Sequence, residues 1–465
     1  MNEPTIDLSS RREFLINTGK LAAVSALAGV AIPHVHAAEN NTIQVALIGC
    51  GGRGTGAASQ ALSVNNGPIK LVAMADVFKE RLDTSFGALQ KDHKDRVDVP
   101  EDRKFIGFDG YKHAMDCLKP GDVAIFTTPL AFRWVHFEYA IKKNLNVFME
   151  KPLTADGPTS KRMLKLGEES VAKNLKVGVG LMSRHSKALQ ELHSRIQDDI
   201  GDIILMRAYR MAPGPLASAF SEKWPGKPSE LLWQISRFHS FIWASGGCFS
   251  DFYIHHVDHC SWMKNAWPIK AQAIGGRHYR YDNVDQNFDS YSVEYTYPDG
   301  SKFIMDGRCM NGANAVYSSY AHGSKGSAVI ARAGDWGNGQ PSTTYKDQNM
   351  ERSNLIWESK IKPTENPYQT EWDVLIAAIR DNTPHNEVKR GVEASVATSM
   401  GRMAAHTAQE ITWEDMLNCD QEFAPNADKF TMDSPPPVRS DKDGKYPVPQ
   451  PGLNKKHEYE PNVTA

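Results

Sequence analysis

The chain has almost no excess of charge: 53 Lys and Arg stand against 55 Asp and Glu, a formal net charge of −2. A balance this close supplies neither the basic field that holds a nucleic acid nor long-range steering of any charged partner. Cysteine is scarce, six in all, with no C-x-x-C pair and no metal-ligand spacing. That argues against a disulfide framework or a zinc site and leaves the thiols as small apolar side chains. His255, His256 and His259 come near a metal-binding pattern but lack the glutamate of H-E-x-x-H, so no metal is expected. The apolar run from Leu21 to Ile32 is too short for a stable membrane span. No internal repeat is present.

That apolar run belongs to an N-terminal pattern. Ser10-Arg11-Arg12-Glu13-Phe14-Leu15 precedes it, and Val35-His36-Ala37 follows as a small-x-small cleavage site. The order of basic, apolar and cleavage regions resembles a twin-arginine export signal. Residues 1–37 are therefore set apart from the fold, and the mature protein is expected to be periplasmic or otherwise exported, with no membrane attachment.

What the chain does have is a glycine-rich turn in the right setting. The apolar strand Val45 to Ile48 breaks into Gly49-Cys50-Gly51-Gly52-Arg53-Gly54 and continues as a helix-compatible run. In G-x-G-x-x-G the first glycine makes a tight turn, the second lets backbone N–H groups approach a pyrophosphate, and the third lets helix pack on strand. The helix N-terminus then faces the anion. A second apolar strand, Ile69 to Ala75, ends in Asp76, about twenty residues on, where a carboxylate binds the adenosine ribose. Its two acceptor oxygens favour NAD, while Lys79 and Arg81 nearby leave NADP open.

At 465 residues two domains are expected. Strands at Asp122 to Thr128, Asn146 to Met149 and Lys176 to Leu181 alternate with helices, which specifies a parallel doubly wound sheet over 42–181. Ligands sit at the carboxyl ends of such strands. Thr127, Thr128, Pro129, the nearby His136, Glu150 and Lys151 are thus cofactor-binding candidates beside the glycine loop. Between Lys79 and Arg103 the charged sequence suggests a helix and an exposed loop. Alternating strands at Ile203 to Met211, Ile269 to Gly275, Ser290 to Tyr297, Lys302 to Arg308 and Ser327 to Ala331 suggest a second, mainly antiparallel sheet within 182–370, with Pro298-Asp299-Gly300 as a hairpin turn. Helices at Glu371 to Asp381 and Val392 to Gln409 fill 371–420 and are expected to pack back on the core. The proline-rich stretch within 421–465 is expected to be an extended arm rather than a packed element.

Gly246 to His259 holds the second constellation. On a helix Asp251 and His255 lie one turn apart, and Asp258 continues that face. A carboxylate beside an imidazole can set its tautomer and raise its basicity, which suits proton abstraction from a hydroxyl. The same residues also fit an ordinary helix with satisfied histidines. Upstream, Trp224, Trp233, Phe238, His239, Phe241 and Trp243 lie in a loop-like region whose aromatic faces suit either a sugar ring or a subunit contact.

Together the glycine loop, the Thr-Thr-Pro strand end, Glu150-Lys151-Pro152, Arg184 and the D-x-x-x-H-x-x-D run resemble the glucose-fructose oxidoreductase and inositol dehydrogenase family, Gfo/Idh/MocA, over about Thr42 to Leu417. The resemblance implies an N-terminal Rossmann domain that binds NAD(P) and a C-terminal α/β domain whose open, mainly antiparallel sheet covers a sugar site. It assigns Lys151 to cofactor and substrate, Asp251 to orienting the sugar, and His255 to hydroxyl proton transfer. Arg184, Trp243, Tyr253 and Asp258 are the substrate-binding candidates. Tyr253 departs from the family, which usually has glycine there, so the start of that helix and the pocket floor are expected to differ. The implied activity is hydride transfer between a sugar, polyol or glycoside carbon and a nicotinamide; because no nicotinamide pool exists outside the cytoplasm, an exported protein is expected to hold that cofactor tightly and regenerate it in place. Two alternatives are an NAD-dependent glycoside hydrolase working through transient oxidation at C3, and a non-catalytic sugar-binding protein. An open sheet makes a homo-oligomer plausible.

Overall fold

The computed structural model describes residues 41–278, 280–333, 340–360 and 365–460. The export-signal pattern lies outside them. No helix of the described residues is long and apolar enough to cross a membrane.

Two sheets organise the molecule. The first is parallel, in the order β3-β2-β1-β4-β5-β6, built from β1 (Ile43–Ile48), β2 (Ile69–Asp76), β3 (Lys104–Ile106), β4 (Val123–Phe126), β5 (Asn146–Met149) and β6 (Val177–Val179). Its inner strands are continuous apolar runs, as β4 is, because helices cover both faces and leave no residue for solvent. β3 directly follows the charged stretch that ends at Arg103 and was not among the expected strands. Only three residues long, it pairs Lys104 with Met74 and Ile106 with Asp76, too short to register as an apolar pattern.

The second sheet follows the order β14-β13-β12-β11-β7-β10-β9-β8-β15. Its strands are β7 (Ile203–Ala212), β8 (Lys270–Gly276), β9 (Ser290–Thr296), β10 (Lys302–Cys309), β11 (Val316–Gly323), β12 (Ser327–Arg332), β13 (Thr343–Tyr345), β14 (Leu355–Glu358) and β15 (Ile411–Thr412). β7 and β10 run parallel; the other pairings are antiparallel. In β9 and β10 burial alternates residue by residue, the mark of a sheet with one face on the core and one open. The turn between them closes through Tyr297 N–H donating to the Ser301 carbonyl at 3.0 Å, with Gly300 at φ +85°.

The Val388–Thr407 helix lies between the two domains and is buried along most of its length. It packs against the Gly157–Ala172 helix, the Gly247–Lys264 helix and β8. It also packs on β9, where glycine permits a close approach: a Cβ on Gly401 would fall 2.1 Å from the Tyr295 hydroxyl. The preceding Pro367–Arg380 helix returns to the first sheet, where Trp372 stacks on Phe148 at 4.5 Å.

The C-terminal arm has little regular structure, as its prolines suggest, but it is packed rather than free. Val438, Tyr446, Glu458 and Tyr459 are buried, and Gln234 Nε2 donates to the Val438 carbonyl at 2.7 Å. Its deepest anchor is Glu458, which binds Arg402 at 2.7 Å and His406 Nδ1 at 2.5 Å. Burial alone would raise the Glu458 carboxyl, but the Arg402 guanidinium and the hydrogen bond with His406 hold it down to about 2. Removing one member of such a buried pair strands the other charge, at about 3–5 kcal/mol. Glu458→Ala is therefore expected to lower unfolding free energy by about that amount, read from chemical denaturation of the full chain; an unchanged midpoint would show that the arm is not load-sharing.

Candidate active site

The glycine turn sits at the carboxyl ends of β1 and β4. Gly49 has φ +96°, and its N–H donates to the Ala75 carbonyl at 2.9 Å. A Cβ on Gly54 would lie 2.0 Å from the Gly49 carbonyl oxygen and 2.5 Å from Thr127 Oγ1, so the third glycine is compelled by helix-to-turn packing. Gly51 and Gly52, in contrast, would have nothing within 4 Å of an added Cβ. They face an open cavity at the start of the Gly52–Ser63 helix, a surface shaped for an anionic ligand.

That cavity is lined by the glycine turn, Arg53, Asp76, Thr127 to Pro129 and His136. The Asp76 carboxylate accepts from Cys50 N–H at 2.6 Å and Phe78 N–H at 2.9 Å, so it braces the turn as well as facing the cavity. Burial raises its pKa. His136 is enclosed; burial and then Arg133 push it down to about 3, which keeps it neutral. Cys50 is a correction. Its thiol is buried and donates to the Ala75 carbonyl, and it does not line the cavity.

A second cavity opens from the first, sharing Arg53, Thr127, Thr128, Pro129, Phe238 and His239 as common walls. Glu150, Lys151, Asp251 and His255 line it. Lys151, on the turn after β5, reaches across to the Gly247–Lys264 helix. Its Nζ donates to the Asp251 carbonyl at 2.6 Å and to Asp251 Oδ1 at 3.1 Å. Asp251 Oδ2 and His255 Nδ1 are buried without a hydrogen-bond partner among the described residues. Leaving two such groups unpaired is costly, and both belong to residues of one cavity wall, where a hydroxylated ligand would satisfy them. Glu150 is held by Arg53 at 2.9 Å.

The expected Asp251–His255 partnership does not form. The carboxylate is drawn to Lys151, and its other oxygen faces His239 Nε2 at 3.6 Å. His239 was visible in the sequence only as one of several aromatics, yet it lines both cavities. Its Nδ1 pairs with Ser218 Oγ at 2.8 Å, and its ring stacks on Phe252 at 5.4 Å. Arg210 and Tyr368, also on the second cavity wall, carried no motif that could have found them.

Four residues expected at a substrate are elsewhere. Trp243 is 1% exposed; its indole donates to Gln234 Oε1 at 2.7 Å, which makes it core. Tyr253 is fully buried against β10 at Gly307, where an added Cβ would lie 2.0 Å from the Tyr253 ring. Glycine on the strand thus makes room for a tyrosine on the helix. Arg184 and Asp258 satisfy each other at 2.7 Å, with the Asp258 side chain fully buried. They tie the turn after β6 to the helix and line neither cavity.

The molecule resembles solved structures in fold. An aldose-aldose oxidoreductase from Caulobacter crescentus, complexed with glycerol, superposes with a TM-score of 0.61 at 14% identity, covering 80% of this chain and 99% of that one. A scyllo-inositol dehydrogenase from Lactobacillus casei, with bound NAD(H) and scyllo-inositol, gives 0.56 at 21% identity over 80% and 99%. A UDP-N-acetylglucosamine 3-dehydrogenase from Acidithiobacillus ferrooxidans gives 0.56 at 16% over 78% and 97%. At these identities the likeness is one of architecture: a Rossmann sheet joined to a second, mostly antiparallel sheet. No family model matches the chain, and no curated protein matches it in sequence.

Burial, reinforced by Lys151 and Arg210, holds His255 well below an ordinary histidine. A lowered value means that the neutral ring persists as pH falls, so His255 should remain deprotonated at about pH 6, where a free histidine is mostly charged. Difference NMR between the wild type and His255→Gln reads this directly; a protonated His255 signal at that pH would contradict the burial argument.

Proposed function

We propose that this chain is a NAD(P)-dependent oxidoreductase of the Gfo/Idh/MocA type. It moves a hydride between a sugar, polyol or glycoside carbon and a tightly held nicotinamide. The observation that carries this reading is the shared wall: Lys151, Asp251 and His255 from two domains line one cavity that opens onto the glycine-turn cavity. The open space over Gly51 and Gly52 fits a dinucleotide pyrophosphate. When bound, the nicotinamide supplies the hydride acceptor or donor.

The chain's own residues do the rest. Neutral His255 takes the hydroxyl proton of the substrate as its carbon is oxidised, and returns it in the reverse direction. Asp251 Oδ2 accepts a hydrogen bond from a neighbouring hydroxyl, and Lys151, fixed by Asp251, presents a positive charge to the developing alkoxide. On the nucleotide side Asp76 and Asp428 both line the cavity. Of the facing cations, Arg53 is paired with Glu150 and Arg81 donates to the Ser236 carbonyl. Two carboxylates oppose an added 2′-phosphate, which supports NAD over NADP.

Export by the twin-arginine route rests on the Ser10 to Ala37 pattern. A homo-oligomer rests on the second sheet, which buries only one face along β9 and β10 and leaves the other open. Nucleotide released from purified protein and identified by mass spectrometry is expected to be NAD. Sugars, polyols and glycosides can then be screened for reduction of the bound cofactor. Lys151→Ala and His255→Ala should each lose about 10²–10⁴-fold in turnover while keeping the nucleotide. A folded preparation that binds no nicotinamide nucleotide would refute the assignment. Reducing sugar released from a synthetic glycoside, with no oxidised product accumulating, would instead assign redox-neutral hydrolysis.

A further inference from the structure

We propose that residues 423–430 of the C-terminal arm form the outer wall of the dinucleotide cavity and retain the nucleotide through turnover. The proposal rests on the reading of the glycine-turn cavity as a nucleotide site. Three residues of this segment, Ala427, Asp428 and Phe430, line that cavity together with the glycine turn and Asp76. They belong neither to the first sheet nor to the second.

Phe430 is held by a box of aromatic rings. Phe108, after β3, and Phe132, after β4, each meet it nearly edge-on at 6.1 Å, and Trp243 does so at 6.2 Å. Edge-to-face pairs of this kind are favourable beyond the area they bury. Trp243 is itself locked by Gln234. The tryptophan that looked like a sugar platform thus supports the wall instead.

The segment is fastened at its start. Ahead of it, Glu422 pairs with Arg162 at 2.9 Å, and Phe423 N–H donates to Asp156 Oδ2 at 3.2 Å. Phe423 also stacks flat on Tyr459 at 5.6 Å, beside Glu458 and its buried anchor on Arg402. Gln421 joins the two strands of the arm again, donating to the Tyr459 carbonyl at 2.7 Å and accepting from Glu458 N–H at 2.8 Å. A wall anchored ahead of residue 424 and boxed in at Phe430 resists opening, so release of a ligand behind it requires Phe430 to leave its three rings or the anchors to give way. Retention by such a wall lowers the dissociation rate more than the association rate.

The test uses the full chain loaded with NADH and chased with excess NAD, release being followed by nicotinamide fluorescence. Phe430→Ala should release NADH at least about tenfold faster than the wild type, and Phe430→Leu, which keeps an apolar plug, should fall between them. Hydrogen exchange of the peptide spanning 423–432 in the wild type should slow when NADH is added, a readout that needs no variant to fold. Wild-type release rates from a folded Phe430→Ala protein, or exchange in 423–432 that ignores the nucleotide, would overturn the proposal. A wild type that binds no nucleotide at all would instead overturn the cavity assignment beneath it, so the two failures are told apart.

Discussion

The site depends on one buried guanidinium. Arg402, in the middle of the central helix, donates to Glu458 from the C-terminal arm, to the Gly246 carbonyl and Ser250 Oγ at the start of the Asp251 helix, and to the Ala155 carbonyl just beyond Lys151. An isolated charge at that depth would be prohibitive. It is tolerated because its polar hydrogens meet fixed acceptors and one full countercharge. Replacing such a cluster with apolar side chains is often neutral for stability; what it contributes is position. The two stretches that carry Lys151 and Asp251 arrive from different domains, and Arg402 binds the backbone of both within a few residues of the Lys151–Asp251 contact. The Lys151–Asp251 contact is then a consequence of geometry already set from behind.

How much of this could be read in the sequence followed from burial. Strands covered on both sides, such as β1 and β4, spell continuous apolar runs, and β9 and β10 alternate because one face stays open. β11 escaped notice because Ser318 and Ser319 are buried where an apolar residue would announce a strand; β3, β13 and β15 were too short to show any period. The arm was misread for a related reason. Val438, Tyr446 and Tyr459 are buried at irregular intervals on an extended path, so no periodicity marks them.

The candidate site was legible wherever a backbone demand or a charged group left a spaced signature: the glycines, Asp76, Glu150-Lys151 and Asp251-His255. It was misjudged where a polar or aromatic side chain could serve packing equally well. Arg184 and Asp258 neutralise each other, and Tyr253 fills the hollow over Gly307. His239 and Arg210 occupy cavity walls without any motif, because loops and open-face strand positions impose no spacing on the residues they present.

The stacking of Trp372 on Phe148 bears on how the molecule comes into being. The first sheet lacks part of its cover until the Pro367–Arg380 helix has been made, and the Arg402 cluster waits for Glu458 later still. During synthesis, therefore, the nucleotide-fold half cannot mature as an autonomous N-terminal unit in the way that consecutive domains often do. A ribosome-bound intermediate would leave the apolar flank around Phe148 uncovered until residues 367–380 have emerged.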